Sequence, residues 1–128
     1  MMRSIAGAAG AALFTLGGCS PTAAELADRR VLAEARPIGA PVDCISLAGI
    51  RSSRVLDDAT IDFEMRDGRV FRNRLRSSCP QLGFEERFSY STSLAQLCSL
   101  EIVTVLTSSG PGASCGLGSF QEIETGRR

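Results

Sequence analysis

ATIDFEMRDGRVFRNRL, Ala59 to Leu75, places apolar residues at alternate positions: Ile61, Phe63 and Met65, then Phe71 and Leu75. Period two marks half-buried β-strands, and Arg66-Asp67-Gly68 between the two runs marks a hairpin. The register follows from which side chains must share a face. A tight turn at Asp67-Gly68 alone would set Phe63 opposite Arg72 and Glu64 opposite Phe71, mixing core and solvent on one side. A longer loop, Arg66 to Gly68, with Gly68 left-handed in a bulge, sets Phe63 opposite Phe71 and Asp62 opposite Arg72. Upstream, a loop at Asp57-Asp58-Ala59 pairs Val55 with Ile61 and Arg54 with Asp62. A meander is therefore expected, with Val55, Ile61, Phe63, Met65, Phe71 and Leu75 inward and Arg54, Asp62 and Arg72 in a row across the other face.

Working outward from this hairpin, Phe84, Phe88 and Tyr90 alternate with Arg87, Ser89 and Ser91, which reads as another half-buried strand. SLAQL before Cys98 reads as a helical turn. Leu100 to Leu106 is apolar on both sides apart from Glu101 and Thr104, as in a central strand. GPGASCGLGSF, Gly110 to Phe120, reads as a glycine-rich turn, and a last strand runs from about Leu117 to Ile123. The expected fold class is all-β and mainly antiparallel, a small barrel or compact sandwich of about six short strands. It follows an N-terminal signal and tether.

The start, MMRSIAGAAGAALFTLGGCS, has a basic Arg3, an apolar run from Ile5 to Leu16 and then small residues. That is the plan of a secretory signal, and the run is too short to span a bilayer. Leu16-Gly17-Gly18-Cys19 resembles the lipobox of bacterial lipoproteins, which implies cleavage before Cys19 and acylation of that residue. Several acyl chains anchor firmly, because each buried methylene contributes roughly 0.8 kcal/mol. Ser20, not being aspartate, implies an outer-membrane address facing the periplasm; the alternative is an ordinary signal cut near Ala24, releasing a soluble periplasmic protein. The expected organisation is a signal peptide over 1–18, a lipidated tether over 19–41, a β domain over 42–125 and a tail over 126–128. Residues 22 to 35 carry helix-favouring residues that Pro37 and Pro41 then interrupt.

Setting Cys19 aside leaves Cys44, Cys79, Cys98 and Cys115, an even set that favours two disulfides in an exported domain. Of the three pairings available, Cys44–Cys115, tying the ends together, with Cys79–Cys98 in the middle is the favoured one. A four-thiolate zinc site is disfavoured because no C-x-x-C pair exists, and no metal or other cofactor is expected.

The chain of 128 residues, 44% hydrophobic and 22% charged, is sized for one domain with a core. Its 14 basic residues, all arginine, balance 14 acidic ones, so the charge argues against nucleic acid as a partner. Histidine is absent, which removes Ser-His and Cys-His dyads. Arg72, Arg74 and Arg76 share one face of one strand. They are the candidate anion-binding residues, against the simpler expectation of a solvated face on which Asp62 sits between Arg54 and Arg72. Asn73 falls on the inward side between Phe71 and Leu75, where it either bonds buried backbone or lines a small pocket. Asp57-Asp58 and Glu85-Glu86 are adjacent carboxylates that suit turns and opposite strand faces better than paired catalysis.

Three stretches, CISLAGIRSSRVLDDATIDFEMRDGRVFRNRL, RSSCPQLGFEERFSYSTSLAQLCSLEIVTVL and GASCGLGSF, together resemble a family of short exported bacterial proteins classed as a domain of unknown function. The resemblance covers Cys44 to Phe120 and implies one recurring disulfide-bonded module with no assigned activity. The functional expectation is a non-enzymatic envelope protein, held to the membrane at Cys19, that binds a protein or an envelope polymer; the alternative is a periplasmic binder of a small anion.

Overall fold

The computed structural model describes residues 10, 17–27 and 35–124. Most of the expected leader over 1–18, the expected tail over 126–128 and residues 28–34 of the expected tether lie outside the described residues. Thr22 and Glu25 form a reciprocal capping box at the start of a helical stretch, residues 23–27: the Glu25 N–H donates to Thr22 Oγ1 at 3.2 Å, and the Thr22 N–H to Glu25 Oε2 at 2.6 Å.

Ten strands are described: β1 (Arg36–Pro37), β2 (Cys44–Ser46), β3 (Ile50–Asp57), β4 (Thr60–Met65), β5 (Val70–Arg74), β6 (Phe88–Tyr90), β7 (Gln96–Cys98), β8 (Ile102–Thr107), β9 (Gly110–Gly116) and β10 (Phe120–Glu124). They form three antiparallel sheets, in the orders β1-β10-β5-β4-β3, β2-β7 and β6-β8-β9, and none closes into a barrel. The all-β class is as expected; the extra strands are mostly the two- and three-residue ones, too short to show a period in sequence.

The meander has the register that face-sharing demands: Val55 opposes Ile61, Arg54 opposes Asp62, Asp62 opposes Arg72, and Phe63 opposes Phe71. The loop Arg66-Asp67-Gly68 closes through Met65 N–H to Arg69 O at 2.8 Å, with Gly68 at φ 91°. Asp67 fixes this loop by accepting the Arg69 backbone N–H at 3.0 Å and its Nε–H at 2.8 Å. These bonds, the backbone one first, hold the Asp67 carboxyl below its usual range, so the contribution is complete above the ordinary carboxylate pKa and disappears as pH falls through the lowered value.

Phe63 is the centre of the core and is fully buried. It meets Phe120 of its own sheet at 5.6 Å and Phe88 of the three-stranded sheet at 6.2 Å, both edge-on. Ile61, Leu82, Leu97, Val103, Val105 and Leu117 are fully buried around it. The apolar β8 is the central strand of its sheet, as expected from Leu100 to Leu106.

Four local expectations are corrected. Phe84 is 86% exposed in a short helix, Leu82–Glu85, so its alternation with Phe88 was accidental; Leu82 supplies the buried side chain instead. SLAQL contributes not a helical turn but β7, because Cys44, Ile45 and Ser46 offer it a partner strand. Gly110–Gly116 is a strand on β8, although its composition suggests a turn. The sheet also begins at Arg36, earlier than the expected domain start at residue 42, since Arg36 and Pro37 pair with Glu124 and Ile123.

The disulfides are Cys44–Cys98 and Cys79–Cys115, not Cys44–Cys115 and Cys79–Cys98. Cys44 lies directly opposite Cys98 in the β2–β7 pair, with Cα atoms 4.0 Å apart. Cys115 projects from β9 toward Cys79, in the segment after β5, at a Cα separation of 5.8 Å, and so ties the three-stranded sheet to the segment that leaves the five-stranded one. Tying chain ends was the wrong criterion, because strand register decides which sulfurs meet. Replacing Cys79 and Cys115 together by Ser is expected to lower stability by about 2–4 kcal/mol in denaturant melts of the otherwise oxidised protein. Non-reducing peptide mapping should recover Cys44 with Cys98 and Cys79 with Cys115; any other pairing contradicts the topology.

Candidate functional site

The arginines of β5 do not act as one face. Arg72 is 3% exposed, and its Nε and Nη2 both donate to the Asp62 carboxylate at 2.8 Å. Thr60 and Ile123, on the same side of the sheet, are also buried. The expected wet face is thus corrected: alternation assigns a side chain to a side of the sheet, but does not say whether that side is covered. β5 lies between β4 and β10 and is no edge strand that charge must protect. A buried pair of this kind is costly to desolvate, and it holds together because the fork geometry satisfies both carboxylate oxygens. The third nitrogen, Arg72 Nη1, is buried without a hydrogen-bond partner among the described residues.

Arg76 is used elsewhere, its Nε–H donating to Leu117 O at 3.1 Å. Arg74 is exposed, and its guanidinium makes no ion pair or hydrogen bond among the described residues. Arg72 and Arg74, without Arg76, line a concavity of about 330 Å³ beside β10, together with Ser119, Gln121, Pro41 and Ile123. Gln121 builds the far wall: its Nε2 donates to Ile38 O and Gly39 O, each at 3.2 Å, and holds the 38–39 segment against β10. Sequence reasoning missed Gln121 and Pro41 because both were assigned to other roles, a last strand and a tether. The hint was Pro37 and Pro41, which suit an extended segment laid along a sheet edge.

Asn73 is fully buried between Phe71 and Leu75. Its Nδ2 donates to Gly118 O at 2.7 Å and its Oδ1 accepts the Gly118 N–H at 2.9 Å, so it bonds buried backbone and lines no pocket described here. Gly118 has no room for a side chain, since a Cβ there would overlap the Arg74 carbonyl oxygen.

The remaining candidates are engaged structurally. A shallow hollow has Asp57 and Asp58 on its wall, but Asp57 accepts the Ala59 N–H at 2.8 Å and Asp58 the Gly83 N–H at 2.7 Å. Arg66 and Arg69, at another concavity, are bound to Ala48 O and Asp67. Glu85, at the end of the short helix, stands 3.8 Å from the exposed Arg87. Cys115 is disulfide-bonded, and Cys19 is free and exposed. Among the described residues no helix is long and apolar enough to cross a membrane.

The fold and the site define a small, disulfide-bonded antiparallel β protein with an arginine-lined concavity beside its five-stranded sheet. Residues 1–127 match the family of unknown function DUF6491, and the chain belongs to it. No curated protein and no solved structure matches the chain.

Two pairs of substitutions test this geometry. Arg72→Met leaves the Asp62 carboxylate buried and unpaired, with an expected loss of about 3–5 kcal/mol in chemical denaturation. Adding Asp62→Leu should recover most of that loss; a strictly additive double variant would mean that the pair is not coupled. Gly118→Ala should cost more than about 2 kcal/mol, whereas Gly116→Ala, whose Cβ has ordinary clearance, should stay within about 0.5 kcal/mol. Similar melting temperatures for the two alanine variants would contradict the close approach at Arg74.

Proposed function

We propose that the protein is a non-enzymatic binding module of the bacterial envelope, exported by residues 1–18 and anchored at the outer membrane by acyl chains on Cys19. The division of the five cysteines carries this reading. Four of them are spent in two disulfides, the chemistry of an oxidising compartment, and the one left over is Cys19, exposed and directly behind Leu16-Gly17-Gly18. Residues after Cys19 then act as a tether that enters the sheet at Arg36. The domain faces the periplasm on this reading, within reach of envelope proteins, polymers and small solutes.

For the ligand, the arginine-lined concavity favours a small anion over an apolar docking partner. The adjacent carboxylates Asp57 and Asp58 are tied to backbone N–H groups, which suits a structural role better than acid–base chemistry.

Intact mass spectrometry of the protein from envelopes of its native bacterium tests the anchor. The expected species begins at Cys19 and carries the added mass of acyl chains, and Cys19→Ser should move the protein out of the membrane fraction. An unacylated chain that still contains residues 1–18, or one cut near Ala24, would overturn the anchor.

A further inference from the structure

The concavity beside β10 holds one positive charge more than its surroundings balance. Arg72 is matched by Asp62, whereas Arg74, two positions along and on the same side of β5, has no partner among the described residues. Arg72 Nη1 adds a second unmet demand, because a buried donor left without an acceptor is destabilising. The Gln121 side-chain donor, Nε2, is not available to a ligand, being committed to Ile38, Gly39 and Glu122 carbonyls. Pro41 and Ile123 make the opposing wall apolar.

An occupant must therefore bring one negative charge, at least two acceptor atoms and an apolar body, within about 330 Å³. A phosphate dianion would bring a second charge with no second free cation, and it has no apolar part. We propose that the concavity binds a short-chain aliphatic carboxylate. One oxygen lies on the Arg74 guanidinium, the other accepts from Arg72 Nη1, and the tail rests on Pro41 and Ile123. Nη1 is buried in the structure, so the second contact requires the side chains that cover it to shift, whereas the contact with the exposed Arg74 does not. Asp62 is then the positioning residue: by holding Nε and Nη2 it turns Nη1 to the side away from itself. This assignment names the ligand of the binding module proposed above and rests on that reading.

The test is a titration of the full-length, oxidised, unacylated Cys19→Ser chain with hexanoate, followed by NMR of backbone amides and arginine Nε–H groups. Saturable shifts are expected at Arg72, Arg74, Ser119 and Ile123. Arg74→Gln, at an exposed position, should keep the melting temperature and weaken hexanoate binding by about tenfold. Three results would overturn the proposal: no saturable shifts at these residues, equal binding of hexanol or hexylammonium, or wild-type affinity in Arg74→Gln. Tighter binding of inorganic phosphate than of hexanoate would overturn the carboxylate assignment as well. Because the chain used carries no lipid, a failed titration leaves the anchor reading intact, and absence of acylation in cells leaves the titration intact.

Discussion

The side-chain amide of Asn73 takes up both polar backbone atoms of Gly118, donating to its carbonyl and accepting from its N–H. The two residues are 45 positions apart, so this contact fixes where the last strand lies against the sheet formed by the hairpins. Gly118 must be glycine for the approach, because the Arg74 carbonyl occupies the space a Cβ would need. Once the chain is held there, Phe120 drops opposite Asn73 and reaches Phe63, while Gln121 falls opposite Arg72. Core and concavity thus share one anchor. A polar residue at the centre of an apolar face is tolerable because both ends of its amide are satisfied.

The same strand puts charge to two different uses. Arg72 and Arg74 lie on one side of β5, but the first is locked in a bidentate pair with Asp62 and the second makes no ion pair or hydrogen bond among the described residues. The pair adds little net stability over an apolar substitute, since desolvation offsets most of the attraction. Its effect is geometric. It fixes the orientation of a guanidinium that would otherwise have many rotamers, and it leaves Arg74 as the one guanidinium lining the concavity without a partner among the described residues.

Covalent links hold together what the short strands cannot. β2 and β7 are three residues each, less than a two-stranded ribbon needs to persist alone in water, and Cys44–Cys98 crosses them. Cys79–Cys115 plays the corresponding part between the three-stranded sheet and the segment that leaves β5. Phe63 against Phe88 supplies the apolar contact between the two larger sheets.

Local pattern determined the meander. The order of Val55, Ile61, Phe63 and Phe71 along the chain, with glycine at the one position needing a left-handed backbone, admits a single register because a one-residue slip would turn every side chain over. The inward placement of Asn73 and the existence of two disulfides were legible for the same reason, each being a consequence of spacing or number. Tertiary structure alone decided the sulfur partners, the burial of Arg72, the entry of Arg36 and Pro37 into the sheet, and the meeting of Arg74 with Gln121 and Pro41 around one hollow. These depend on contacts between segments tens of residues apart, and periodicity reports which way a side chain points while remaining silent about what will stand in front of it.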